Sequence, residues 1–157
     1  MNRTADKNMV EIREGQLSDT ERIVEFELEM AQETEGVQLE REVVSRGVEG
    51  VFERPERGTY WVAEEEERIV GVLLAIPEWS DWRNGTVLWI HSLYVVPEAR
   101  RKGVFKELYL NLKKKVEGSE ELKGLRLYVD KQNKKAQEVY ESLGMDKEHY
   151  DLYEWLK

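Results

Sequence analysis

Hydrophobic positions along the chain follow two periods, and the change between them marks out the elements. TYWVAEEEERIVGVLLAI, from Thr59 to Ile76, reads as two strands joined by a charged turn at 64–67. The second run, Ile69–Ile76, is apolar on both faces, as a central strand should be. EWSDWRNG follows as a turn, and Thr86–Val96 reads as the next strand, ended by Pro97. Short strands are also expected at Val10–Arg13, at Leu125–Val129 and in the tail HYDLYEWLK. Between them the period is helical. Ser18 and Glu21 have capping-box spacing ahead of Ile23, Phe26 and Met30. Val44, Val48, Val51 and Phe52 form a second stripe, and Phe105, Leu108, Tyr109, Leu112 and Val116 a third. Asn133 is placed to cap a fourth helix carrying Ala136, Val139, Tyr140 and Leu143, with Gly144 as its left-handed C-cap. The alternation predicts one α/β (α+β) domain over residues 1–157, a mixed sheet with helices on both faces. Residues 1–8 are a candidate disordered segment.

Composition narrows the chemistry. The 157 residues include no cysteine, which excludes a disulfide frame, a thiolate nucleophile, cysteine-ligated zinc and iron–sulfur clusters. A net charge of -9, from 33 acidic and 24 basic residues, opposes binding to a phosphate backbone, so nucleic acid is not an expected partner. No apolar run reaches membrane-spanning length, and MNRTADKNMV lacks the apolar core of a signal peptide. The expectation is a cytoplasmic protein with no membrane partner.

One stretch draws attention: ARRKGVFKELY, residues 99–109, directly after the strand and Pro97. A strand leading through a basic turn and a glycine into a helix presents backbone N–H groups and the positive end of a helix dipole, a combination that binds phosphate. Neither a Walker loop nor a dinucleotide GxGxxG is present. Taken alone, the stretch reads equally well as a solvated basic turn.

The second motif, Asn133-x-x-Ala136-x-x-x-Tyr140-x-x-x-Gly144-Met145, changes that balance. Together with Arg100-x-x-Gly103 it resembles the GNAT superfamily of acyl-CoA-dependent N-acyltransferases, and the order of elements agrees along nearly the whole chain. The resemblance implies a mixed, mostly antiparallel sheet of about seven strands with about four helices on its two faces. It also implies acetyl-CoA as co-substrate, no metal, and transfer of an acetyl group to a primary amine of a small molecule, peptide or protein by direct attack. The alternative within the same fold is a non-catalytic acyl-CoA sensor or regulatory module.

The resemblance carries residue roles with it. Arg100, Arg101, Lys102, Gly103, Val104, Phe105 and Lys106 correspond to the loop whose amides hold the pyrophosphate. Phe105 departs from the small residue expected there, and its place on the helix stripe predicts that the ring turns toward the core. Leu93, Tyr94 and Val95 correspond to the strand that pairs with the pantetheine arm. Asn133 and Ala136 lie on the cofactor side, and Tyr140 corresponds to the general acid. A phenol near ~10 stays protonated at neutral pH and can donate to a thiolate whose conjugate acid is near ~8.5.

The base that deprotonates the amine is not assigned by the resemblance. Glu78, at the end of a central strand, is the first choice; His91, on the strand leading to the thioester, is the second, although it also reads as a core histidine. Glu33 and Glu35, in the loop after the first helix, would suit a cationic acceptor, and so would Asp81. Trp79 and Trp82 make the turn unusually aromatic, which suits an acceptor pocket or a homodimer contact.

Overall fold

The computed structural model describes residues 10–147 and 149–157. The expectation for residues 1–8 lies outside that range. The chain divides after Leu127 into two compact units. In the first, β1 (Glu11–Glu14) is followed by α1 (Thr20–Glu35), α2 (Arg41–Glu53), β2 (Thr59–Glu65), β3 (Arg68–Ser80), β4 (Gly85–Val95), α3 (Val104–Glu117) and β5 (Leu122–Leu127). The second holds α4 (Lys134–Ser142) and the tail.

The strands form one sheet in the order β1-β2-β3-β4-β5. The first three pairings are antiparallel, whereas β5 runs parallel to β4. A parallel partner needs a crossover rather than a hairpin, and α3 supplies it. Alternation along the strands sorts side chains to two layers. On one face Tyr60 meets Phe52 of α2, ring centroids 5.5 Å apart, and Tyr94 meets Phe26 of α1 at 5.3 Å. On the other, Gly71 leaves room for Val104 of α3, and Lys115 lies 4.5 Å from the Trp61 ring centre. The core accordingly has two halves, with Phe26, Ile23 and Val24 buried under one face and Leu108 and Leu112 under the other.

At the N-terminal entry a cap forms, but not the expected one. Asp19, not Glu21, reaches back: the Gln16 N–H donates to its carboxylate at 2.8 Å, while Glu21 pairs with Arg41 of α2. Asp19 is fixed from a second side by Arg13 of β1, whose Nη1 and Nη2 donate to it at 2.8 and 3.1 Å. Buried Asp19 therefore joins the first strand to the first helix. Hydrogen bonding from Arg13 holds its carboxyl below the ordinary range despite burial. A depressed acid stabilises the fold above its unfolded pKa and loses that contribution as pH falls through the folded value. Asp19→Asn should therefore cost roughly 1.5–3 kcal/mol at pH 7, and the deficit should shrink at pH 3, as urea midpoints of both proteins would show. A deficit that is equal at both pH values would refute the ionic role.

Three expectations about the strands need correction. β3 runs on through Pro77, Glu78 and Trp79 to Ser80, paired with β4 down to Gly85, so much of the expected turn is strand. Pro77 can be accommodated because a position whose N–H faces away from the ladder needs no donor. The fifth strand begins at Leu122 rather than Leu125 and ends two residues earlier than expected. The tail forms no strand among the described residues, so the sheet has five strands instead of about seven. Alternation licenses a strand, but only a ladder partner makes one, and the tail side chains Tyr150, Tyr153 and Trp155 are exposed.

Within the second unit, α4 follows its sequence signals closely. The Asn133 side chain accepts the Ala136 N–H at 3.1 Å, capping α4, and Gly144 adopts φ 88° beyond its C-terminus. Gln137, on the inward side of the helix, is buried and donates to the carbonyls of Asp130 and Lys131. Those bonds fix the turn that precedes the cap.

Candidate functional site

The site begins with an irregularity in β4. Tyr94 pairs with Val72 and His91 with Leu74, so Ser92 and Leu93 together stand opposite Leu73. This is a β-bulge, and Ser92 takes the left-handed conformation at φ 50°. Directly beyond it the sheet opens. β4 pairs with β5 only from Thr86 to Ile90, leaving the edge from His91 to Val95 without a β5 partner. An extended ligand can add to such an edge through main-chain hydrogen bonds. Leu93, Tyr94 and Val95 all lie on it.

The chain then leaves the sheet through a short turn, Pro97–Ala99, and enters α3. Arg101 at φ 63° and Gly103 at φ 84° are both left-handed, a backbone state found in loops that bind anions through their amides. Gly103 is the N-cap of α3 and supplies no side-chain acceptor. The first-turn amides of a helix have no acceptor within it. A Cβ built on Gly103 would meet nothing within 4 Å. The loop thus has the form of an anion cradle, with open space beside Gly103.

The arginine that opens the loop does not point into the cradle. Arg100 donates through Nε to the Val95 carbonyl at 2.8 Å and through both terminal nitrogens to Glu33, at 2.6 and 2.8 Å. The guanidinium holds the Glu33 carboxyl below its ordinary range. Arg100 and Glu33 therefore pin the loop to the end of α1, and Glu33 is engaged there instead of standing open to an acceptor. Arg101, Lys102 and Lys106 are exposed around the cradle. Phe105 is half-buried with its ring 6.2 Å from Tyr109, while Val104 is the first-turn side chain that enters the core. The expected inward turn of Phe105 is only partial, because the helix starts with Val104 aimed at the sheet.

The candidate bases separate clearly. Glu78 stands opposite Val87, five residues before the bulge, which at the strand rise is about 17 Å away. Its carboxylate is held by Arg126 at 3.1 Å. Trp79, Asp81 and Trp82 lie at the same distal end of the hairpin, with Trp79 64% and Trp82 89% exposed. The Asp81 side chain accepts the Trp82 N–H. Glu35 is exposed at the last residue of α1. The structure does not bring these residues together with the bulge. His91 is different: it is across Leu74 from Tyr60, hence on the face covered by α1 and α2, and burial lowers its pKa.

A carboxylate that the sequence reading passed over sits nearest the bulge. The carboxyl of Glu27 of α1 lies beside the Ser92 side chain, and its Oε1 is buried with no hydrogen-bond partner among the described residues. Burial pushes its pKa up, and its charge adds to the burial that raises Tyr60. A signal was available, since Glu27 falls between Ile23 and Met30 on the same helical row. The Ser92 bulge left none, because no glycine marks it. Tyr94, near the same place, is pushed up to about 12 by burial and by its hydrogen bond to Glu29, so its phenol keeps its proton.

In the second unit, Tyr140 lies half-buried on α4, seven residues after the Asn133 cap. Burial raises its pKa, so the phenol remains a donor well above neutral pH. Among the described residues no group of three or more His, Asp or Glu side chains is gathered as a metal ligand set.

Comparison with known proteins agrees with this geometry. The profile of the Acetyltransferase (GNAT) family matches residues 20–145. An uncharacterized N-acetyltransferase, YhfO, of Bacillus subtilis is 32% identical over 95 residues, covering 58% of this chain and 63% of that protein. The chain thus spans less than two thirds of that curated relative's length. The crystal structure of a possible acetyltransferase from Clostridium difficile 630 is 40% identical with a TM-score of 0.89, covering 95% of this chain and 98% of that one. Aminoglycoside N-acetyltransferase AAC(6')-Iy in complex with CoA shares the fold, with a TM-score of 0.76 at 13% identity over 98% and 99% of the two chains. With the bulged strand, the opened sheet edge and the left-handed glycine loop in place, the match over residues 20–145 establishes that the chain belongs to the GNAT acetyltransferase family.

Proposed function

We propose that the protein is a cytoplasmic N-acetyltransferase that uses acetyl-CoA to acetylate a primary amine by direct attack. The observation that supports this most strongly is the run of β4 edge, bulge, left-handed loop and uncapped α3 N-terminus along one stretch of chain. Acetyl-CoA would supply an activated acyl group as a thioester. The amides around Gly103 would hold its pyrophosphate, with Arg101, Lys102 and Lys106 adding charge, and the edge at Leu93–Val95 would align the arm. The bulge at Ser92 turns backbone donors toward a thioester carbonyl. Asn133 and Ala136 shape the start of α4, and Tyr140 gives a proton to the departing sulfur.

The exposed Trp79 and Trp82, together with Asp81 and Glu35, are suited to the remote part of a cationic acceptor or to a second copy of the chain. A regulatory acyl-CoA-binding module would use the same cradle without turnover. Isothermal titration tests the common base of both readings: saturable binding of acetyl-CoA below millimolar concentration is expected, and its absence would remove them. Tyr140→Phe then separates them. Turnover of an amine panel should fall about 100-fold in kcat with acetyl-CoA affinity little changed. A wild-type protein that binds but never consumes the thioester would instead be the regulatory module.

A further inference from the structure

We propose that Glu27, under the β4 bulge, is the group that binds the acceptor's ammonium and takes up its proton. The assignment rests on the acetyltransferase reading above and adds to it the base and the charge of the acceptor. Three features of the geometry carry it. Glu27 lies beside the side chain of Ser92, the residue whose left-handed backbone makes the bulge, so the carboxyl lies where β4 leaves β5. The second is an oxygen, Oε1, that is buried and has no hydrogen-bond partner among the described residues. Third, a carboxylate on the core row of a helix is costly to keep there unless something pairs with it.

Among the described residues the surroundings show no cation paired with that oxygen. From β2, Tyr60 is raised by burial and by the charge of Glu27, and so stays neutral. From β4 come the Ser92 hydroxyl and His91, whose cationic form burial disfavours. β3 has no ionisable side chain between Ile69 and Ile76. On α2, Arg41 and Arg46 are engaged by Glu21 and Glu42, and on α1 Glu25 takes Arg22 while Glu29 accepts the Tyr94 O–H. An alkylammonium would supply the missing donor and charge. A raised carboxyl is also better matched than an ordinary one to accepting a proton near neutral pH. One ammonium proton passes to Glu27 and on to water. The nitrogen–carbon bond forms as the carbon–sulfur bond breaks, and the second proton lost from nitrogen ends on sulfur.

The test uses Glu27→Gln, with acetyl-CoA affinity as the check that the fold survives. In protein carrying 13C-labelled glutamate carboxyls, one resonance should titrate above the ordinary range in the unliganded wild type and be missing from the variant. A raised acid binds more protons folded than unfolded, so it destabilises above its folded pKa and not below its unfolded one. The variant should therefore melt higher than wild type at pH 8, with the gain shrinking toward pH 4. Turnover should drop about 100-fold with propylamine, which is protonated at pH 7, and change less than about threefold with hydroxylamine, which is already neutral. Ordinary titration of every glutamate, or equal losses with both nucleophiles, would overturn the assignment. Wild-type protein that binds acetyl-CoA but acetylates neither nucleophile would overturn it too and leave the cradle standing. No binding at all would remove both.

Discussion

Replacing Gly103 with valine is expected to weaken acetyl-CoA binding by about a thousandfold. Gly103 has φ 84° and is the N-cap of α3. A β-branched residue is a strong outlier in that region, and the left-handed conformation costs an L-residue roughly 1–2 kcal/mol. Beyond its chain neighbours and its own helix backbone, an added Cβ would meet nothing within 4 Å, so the space beside it is open. The open space is where a pyrophosphate would lie, so the side chain and the ligand compete for it. The loop can relieve its strain only by rotating amides out of the cradle. Each hydrogen bond to a charged group is worth roughly 1.5–3 kcal/mol, and two of them account for the predicted loss. Gly103→Asn tolerates the left-handed state but still places a side chain in that space, so it should lose affinity, though less than the valine variant does. Acetyl-pantetheine, which lacks the pyrophosphate, should bind wild type and valine variant alike. Titration calorimetry of these pairs decides the matter: an unchanged affinity for acetyl-CoA in Gly103→Val would place the pyrophosphate elsewhere.

That cradle was legible in the sequence because its parts are local. Pro97, Gly103 and the stripe of Leu108, Tyr109 and Leu112 are each a short-range signal, and so is the Asn133 cap that accepts the Ala136 N–H. What sequence reading missed depends on pairing at long range. Glu78 and Trp79 read as part of a turn until β4 is alongside them. Glu78 does follow an apolar strand, but antiparallel pairing puts that end of β3 opposite the start of β4, far from the bulge. Ser18 and Glu21 have the spacing of a capping box, yet Arg13 of β1 recruits Asp19 to the same task. Ser92 is left-handed with no glycine to announce it. Glu27 was visible as a charge on a core row, but only the sheet shows that the row ends at the bulge.

Phe26→Ala should destabilise the protein by about 3–5 kcal/mol, the largest stability effect expected of a single substitution on the site's side of the sheet. Phe26 is fully buried, with its ring 5.3 Å from that of Tyr94 and the Arg22 guanidinium 4.3 Å from its centre. The transfer and cavity terms fall on an interior packed to near-crystalline density, and the aromatic pair adds roughly 0.5–1.5 kcal/mol. For a chain of this size each kcal/mol lowers Tm by about 2–4 °C, giving a drop of roughly 6–20 °C. The position links packing to function. Tyr94 is the residue after the bulge, Glu29 accepts its O–H, and Arg100 lies 5.4 Å from its ring centre while bonded to Glu33. Without Phe26, α1 loses its packing against Tyr94 and keeps the Glu29 hydrogen bond to it, and both Glu27 and Glu33 sit on that helix. Phe26→Leu keeps an apolar side chain in the gap and should recover most of the stability, with a remaining deficit of about 1.5 kcal/mol or less. If packing on Tyr94 is what sets the bulge, the alanine variant at 15 °C, still folded, should show weaker protection of the Tyr94 and Val95 amides from hydrogen exchange than the leucine variant does. Equal protection in the two would mean that β3 pairing alone holds this stretch of β4, and that α1 only covers it.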